Sequence, residues 1–190
     1  ACERVELARY RHLVACRGFD GSQARGQRRP AAGRTGPDLR EGRRIGQQLA
    51  LTARCFGMRT LAYRRSPGEH PLVEKIYSGS QLGDFLQDLD YLVLTLPRTP
   101  HTDSLIDAAA ISRMKSTSVL MNVGRGNALV EADLVEALRS NRLRAAVLDV
   151  FQTEPLPKEC KLWQLPNCFI TPHHAALSFP NDILKIFVEN

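Results

Sequence analysis

Three apolar runs in the second half of the chain end in polar residues able to do chemistry. Arg125 lies at the end of V-L-M-N-V-G-R-G (Val119–Gly126), Glu154 near the end of V-L-D-V-F-Q-T-E-P (Val147–Pro155), and His173 within I-T-P-H-H-A-A (Ile170–Ala176). A guanidinium can grip a carboxylate and polarise a neighbouring carbonyl. An imidazole can pass a proton near neutral pH, and a carboxylate beside it keeps the ring charged and oriented. As a set, the three groups suit reduction of a 2-keto acid. Taken singly they mean less. A lone Arg-Gly is more often a surface loop, and a glutamate before proline more often a surface carboxylate. His173 and His174 are adjacent, so their side chains should point in different directions, and no third ligand follows at metal-binding spacing. No metal site is expected.

The segments around these residues alternate between strand and helix patterns. Apolar residues recur at helical spacing over Ile45–Phe56, and Gly57 follows as a C-cap. M-R-T-L-A-Y reads as a short buried strand and R-R-S-P-G as its terminal loop. Tyr77–Leu89 reads as a short helix, followed by the strand Y-L-V-L-T-L, which Pro97 closes. A helix over Asp107–Met114, a strand over Val119–Val123, a helix over Glu131–Ser140 and the strands A-A-V-L-D-V and C-F-I-T complete the pattern. The interval predicts an α/β domain with a parallel sheet. In such sheets ligands bind beyond the carboxyl ends of the strands. Arg64, Thr95, Arg125, Asp149 and His173 all fall at or just after predicted strand ends, which is the strongest sign of a shared site.

Gly46 opens the first helix, where a dinucleotide fold carries its glycine turn. Counting back for G-x-G-x-x-G puts Arg43 at the second glycine and Glu41 at the first. A side chain at the second position blocks backbone approach to a pyrophosphate, and a carboxylate at the first repels it. Arg64, Arg65 and Ser66 lie where such a fold reads the ribose, 18 residues after Gly46 in the case of Arg64. An acidic residue there would select NAD. Two arginines and a serine suit a 2′-phosphate, so NADP is the expected cofactor, with NAD the alternative. Asp149, inside an apolar run, is either a turn-capping aspartate or an acceptor for the nicotinamide carboxamide.

The chain has 190 residues, enough for one domain, and 43% of them are hydrophobic. Its net charge of +6 would suggest nucleic acid if it were spread along the chain. Residues 1–46 carry all of the excess, with 11 Arg, no Lys and 5 acidic residues, and the remainder is balanced. Without lysines or interleaved aromatics, this does not look like a nucleic-acid-binding arm. No apolar run approaches a membrane span, and the N-terminus is charged from its third residue. Five scattered cysteines lack C-x-x-C spacing and read as reduced thiols, which points to the cytoplasm.

Several motifs in order, F-G-M-R-T-L-A-Y-R-R-S-P, L-P-R-T-P-H-T, M-K-S-T-S-V-L-M-N-V-G-R-G-N-A-L-V, L-D-V-F-Q-T-E-P-L-P, L-W-Q-L-P-N and T-P-H-H-A-A, carry a close resemblance. From Ile45 onward the chain resembles the D-isomer-specific 2-hydroxyacid dehydrogenases, especially the glyoxylate/hydroxypyruvate reductase-like members. The resemblance implies a Rossmann-like, doubly wound sheet. It also implies hydride transfer between NAD(P)H and a small 2-keto acid, and a homodimer. It carries the catalytic arginine, glutamate and histidine onto Arg125, Glu154 and His173. It carries the nicotinamide-contacting aspartate onto Asp149. Gly46, Arg64, Arg65, Ser66, Thr95, Pro97 and Asp149 make up the expected cofactor-binding set. Residues 1–44 read as an Arg-rich irregular segment in which the family's substrate domain is not recognisable. Residues 45–176 read as the NAD(P)-binding domain and 177–190 as the start of a C-terminal helix. A non-catalytic dinucleotide-sensing or interaction protein on the same scaffold is the competing expectation.

The broken glycine turn has a simple account at the level of codons. Asp38–Gly42 can be encoded GAT CTT CGG GAA GGG, and a one-base shift turns this into Ile-Phe-Gly-Lys-Gly. Followed by Arg44-Ile45-Gly46, that is a strand end and a complete G-x-G-x-x-G. A shifted frame upstream of Arg43 also accounts for arginine without lysine. Resequencing the gene is expected to reveal a one-base insertion or deletion upstream of Arg43. A single clean frame through the region would remove this account.

Overall fold

The computed structural model describes residues 12–17 and 45–175. Glu41 and Arg43, the expected broken glycine positions, lie outside the described residues, as do Ala176 and the expected C-terminal helix over 177–190.

Seven strands form one sheet in the order β3-β2-β1-β4-β5-β6-β7. They are β1 (His12–Arg17), β2 (Arg59–Arg64), β3 (Lys75–Tyr77), β4 (Tyr91–Leu94), β5 (Val119–Asn122), β6 (Ala145–Leu148) and β7 (Cys168–Ile170). Among the described residues, four α-helices accompany them: α1 (Ile45–Cys55), α2 (Leu82–Leu86), α3 (Ala108–Arg113) and α4 (Glu131–Arg139). Helix α1 lies against β1 and β2, and α2, α3 and α4 pack side by side. The alternation that the hydrophobic pattern predicts is therefore present, and the architecture is a Rossmann-like sheet with flanking helices. No helix among the described residues is long and apolar enough to cross a membrane.

Short strands of Leu, Val and Ala build the buried ladder, as parallel sheets require. Leu92, Leu94, Leu120, Ala146 and Leu148 are fully buried and meet Phe85, Leu86, Ile111, Leu134 and Leu138 from the helices. Phe85 also anchors an aromatic cluster, with ring centroids 5.8 Å from Tyr63 and 5.6 Å from Tyr77. Asp107 caps α3, its side chain accepting the Ala110 amide at 2.8 Å, and so satisfies one of the amides a helix start leaves without a partner.

Six strands point the same way, and β1 runs opposite to both of its neighbours. The irregular segment expected over residues 1–44 thus contains a strand. L-V-A-C is apolar enough to fill a sheet position, although its arginine-rich setting hides the pattern. Arg17 pairs with Arg59, so β1 ends beside the start of β2, at the edge opposite the carboxyl ends of the parallel strands. The helix expected from Tyr77 to Leu89 is also shorter. Tyr77 belongs to β3, Gly79 has φ 57° and Gln87 is extended, which confines α2 to Leu82–Leu86.

One paired rung runs straight across the sheet, through Tyr77, Tyr63, Leu13, Leu94, Asn122, Leu148 and Ile170, and it is the last rung of the β4–β7 half. One residue beyond it on the parallel strands stand Arg64, Thr95, Asp149 and Thr171. All four are polar, while Val123 holds the same place after β5. Leu120→Ala, at the centre of this ladder, is expected to lower stability by about 2–5 kcal/mol in urea unfolding, the usual cost of a buried cavity.

Candidate active site

The loop after β5 is the tightest part of the site. The buried side chain of Asn122 accepts the Gly124 amide at 3.2 Å and donates to the Arg125 carbonyl at 3.1 Å, closing the turn onto itself. A Cβ on Gly124 would stand 2.6 Å from the Leu96 carbonyl oxygen, and one on Gly126 would stand 1.9 Å from the Phe151 carbonyl carbon. Only glycines allow this turn to lie against the loops after β4 and β6. The side chain of Arg125 is exposed between them, its guanidinium donating to the Gly124 carbonyl at 2.6 Å.

Beyond β6 the chain turns at Asp149 and reaches Glu154. One Glu154 oxygen accepts the Phe151 amide at 2.9 Å, and the other lies 2.7 Å from His173 Nδ1. Held against a carboxylate, Nδ1 carries the proton and Nε2 remains the nitrogen able to exchange one. Burial alone would raise the Glu154 carboxyl. The hydrogen bonds from His173 and the Phe151 amide, with the charges of His173 and Arg125, outweigh burial and hold it below its ordinary value. Asp149 is treated the same way. Burial pushes it up, and donors from Thr171, Ala175 and His174 bring it lower than usual.

Arg125, Glu154 and His173 line one cleft of about 630 Å³ together with Arg98, Asp103, Ser104, Asn127 and Gln152. All three expected catalytic residues therefore face the same space. Arg98, on the loop after β4, was not singled out by its sequence. Nothing in L-P-R-T-P-H-T marks its arginine as facing this cleft. Asn122 was also missed, though M-N-V-G-R-G places a polar residue on a buried strand just before the turn. His173 and His174 do diverge: the first meets Glu154 and the second lies 3.4 Å from Asp149 through Nδ1.

Of the expected cofactor residues, Gly46 and Arg64 meet at the other end of the same edge. Gly46, Ala50, Ala62, Arg64, His70 and Ile76 line a narrow slot between α1 and the ends of β2 and β3. The first turn of α1 carries no acidic residue, so its amides and dipole favour an anion. Arg64 donates to the Ser66 carbonyl at 2.8 Å and the Pro67 carbonyl at 3.3 Å, bracing the loop. Arg65 and Ser66 are exposed beyond it, and the Arg65 guanidinium makes no hydrogen bond within the described residues. His70 has a lowered pKa, by burial and then by the charge of Arg64, and so adds no positive charge at neutral pH. A helix start without acidic residues, a guanidinium and an apolar slot fit a dinucleotide phosphate. Thr95 and Pro97 lie on the loop after β4, and the Pro97 carbonyl accepts the Thr102 hydroxyl at 2.7 Å. Asp149 sits under the loop that carries His173.

A family model described as D-isomer specific 2-hydroxyacid dehydrogenase, NAD binding domain, matches residues 42–175. Glyoxylate/hydroxypyruvate reductase A of Klebsiella pneumoniae (strain 342) is 34% identical over 145 residues, which cover 76% of this chain and 46% of that protein. The chain thus spans about half the length of the curated relatives it matches. The NADPH-dependent glyoxylate/hydroxypyruvate reductase of Sinorhizobium meliloti, solved with NADP and sulfate, aligns with a TM-score of 0.69 and 37% identity over 76% of this chain and 47% of that one. A D-isomer specific 2-hydroxyacid dehydrogenase of Xanthobacter autotrophicus Py2, solved with NADPH and MES, aligns with a TM-score of 0.73 and 34% identity over 77% and 60% of the two chains.

Both site carboxylates have lowered folded pKa values, so each contributes stability above its unfolded pKa and loses it as the pH falls through the folded value. Thermal unfolding followed by circular dichroism is expected to give a melting temperature that is level above about pH 5 and falls below about pH 4. Asp149→Asn/Glu154→Gln should flatten that fall. An equal fall in the variant would place the acid sensitivity elsewhere.

Proposed function

Because the chain belongs to the D-isomer specific 2-hydroxyacid dehydrogenase family, through its NAD-binding domain, we propose that it serves NADPH-dependent reduction of a small 2-keto acid such as glyoxylate or hydroxypyruvate. The observation that carries the proposal is the His173–Glu154 pair at 2.7 Å in one cleft with Arg125. The nicotinamide cofactor, when bound, supplies the hydride. The residues of this chain do the rest. Arg125 binds the substrate carboxylate and draws electron density from the carbonyl oxygen. His173 delivers a proton to that oxygen from Nε2, while Glu154 fixes the ring through Nδ1. The turn closed by Asn122, with Gly124 and Gly126 packed on backbone, keeps the guanidinium from drifting.

The same reading gives Gly46 and the start of α1 to the cofactor phosphates, and Arg65 and Ser66 to the ribose 2′-phosphate with Arg64 as their brace. Thr95 and Pro97 flank the dinucleotide, and a homodimer in the cytoplasm is the expected form. The NADP and NADPH complexes of similar chains support the choice of cofactor. One observation favours the competing reading of a non-catalytic, dinucleotide-sensing protein. Strand β1 runs antiparallel and ends at the far edge, so residues 18–44 separate it from α1 where a direct glycine turn is usual.

Fluorescence titration of the purified chain distinguishes the readings at the first step. Saturable binding of NADPH in preference to NADH is expected, and Arg65→Ala should reduce that preference by about tenfold or more, the worth of one charge-assisted hydrogen bond. Turnover of glyoxylate or hydroxypyruvate would then support the reductase, and binding without turnover the sensor. Failure to bind either nucleotide would overturn both.

A further inference from the structure

His173 has φ 51°, the left-handed region that a side chain bearing a Cβ enters only when its surroundings hold it there. Besides the His173 amide's bond to the Thr171 carbonyl at 3.1 Å, one carboxylate holds the flanking residues. Asp149 Oδ1 accepts the Thr171 hydroxyl at 2.5 Å and the His174 amide at 3.0 Å, and Oδ2 accepts the Ala175 amide at 2.9 Å. The chain is thus gripped two residues before His173 and one and two residues after it. We infer that Asp149 is a positioning residue for His173, clamping its loop in the left-handed turn, and that Thr171 is the other half of the clamp. This rests on the proposed reading only in taking His173 as the proton-passing group.

The anchor is rigid for reasons independent of the loop. Asp149 is 3% exposed. Its own amide donates to the Asn122 carbonyl at 2.9 Å, and the Thr171 amide donates to the Leu148 carbonyl at 2.9 Å, so clamp and loop are both tied to the end of the ladder. Two carboxylates of one short segment then divide the work. Asp149 sets the backbone of the histidine and Glu154 sets its ring. An aspartate serving only as an acceptor for a bound ligand has no need of three protein donors that bracket one residue. Among the described residues, the His174 ring, 3.4 Å from Oδ1, is the charged or titratable side chain that faces this carboxylate.

The test is nuclear magnetic resonance on the whole chain, comparing Thr171→Val, which keeps the shape and loses the hydroxyl, with Thr171→Ser, which restores it. In Thr171→Val the His174 and Ala175 amides are expected to exchange with solvent about tenfold faster or more. The imidazole nitrogen shifts of His173 should move away from the Nδ1-protonated form that Glu154 holds. Thr171→Ser should recover both signals. A role confined to packing would leave the His173 tautomer unmoved and gain nothing from serine. Unchanged amide exchange and an unchanged tautomer in Thr171→Val would overturn the inference. Should that variant fail to fold, Asp149→Asn decides. With the amide group turned toward Ala175, exchange at the Ala175 amide must rise, and wild-type protection there would overturn the clamp. None of these readouts needs cofactor, so a chain that fails to bind NADPH would fail the proposed function while leaving the clamp to be judged separately.

Discussion

A buried parallel ladder has no room for polar side chains until it ends, and this sheet ends nearly in line. Leu94, Asn122, Leu148 and Ile170 form one rung across β4 to β7. The residue after this rung is polar on β4, β6 and β7. Thr95, Asp149 and Thr171 take that position, and Arg125 and His173 follow within a few residues. The site is therefore a consequence of register. A one-residue slip of β6 against β5 would exchange the two faces of the strand and carry Asp149 away from the Asn122 carbonyl it bonds at 2.9 Å. Asn122 is an exception that fits the constraint. It is a buried polar residue on the last rung, and its amide is occupied at both ends by the turn that follows.

Much of this half of the molecule was legible because each element announces itself locally. V-L-M-N-V and A-A-V-L are strands by composition, E-A-D-L-V-E-A-L-R is a helix by spacing, and the chemistry-bearing residues sit where those patterns stop. Distances between strands were not legible. The sequence puts Glu154 and His173 nineteen residues apart, and only the pairing of β6 with β7 brings them to hydrogen-bonding distance. Arg98 escaped notice for the same reason, since its relation to Arg125 depends on how the loops after β4 and β5 lie together. For Asp149, both a turn role and a ligand role could be read from the sequence, and the donors that surround it come from a loop more than twenty residues away.

The first strand was illegible for a different reason. Its apolar core is four residues long and set among arginines, so periodicity offers no contrast with its surroundings. Direction is a further property that local pattern does not encode. A strand in this sheet position pairs with β2 and β4 in either sense, because an apolar tetrapeptide presents donors and acceptors on both edges whichever way it runs. What usually fixes the sense is the short turn into the next helix, and here residues 18–44 intervene instead.

That difference separates the two halves of the site. The Arg125–Glu154–His173 cleft is built by the loops after β4, β5, β6 and β7, and the hydrogen bonds that hold its three named side chains lie within the last three of these. The slot proposed for the cofactor depends on α1 meeting the ends of β2 and β3, and α1 follows directly from the segment in which the glycine pattern is broken. Changes in residues 1–44 can therefore disturb the slot beside α1 while the geometry of the Arg125–Glu154–His173 cleft stays intact. The converse also holds, because the slot beside Arg64 shares no lining residue with the cleft beside Arg125. Loss of cofactor affinity in this chain would locate a fault in the approach to α1. The hydrogen bonds that shape the cleft at the ends of β5, β6 and β7 would remain.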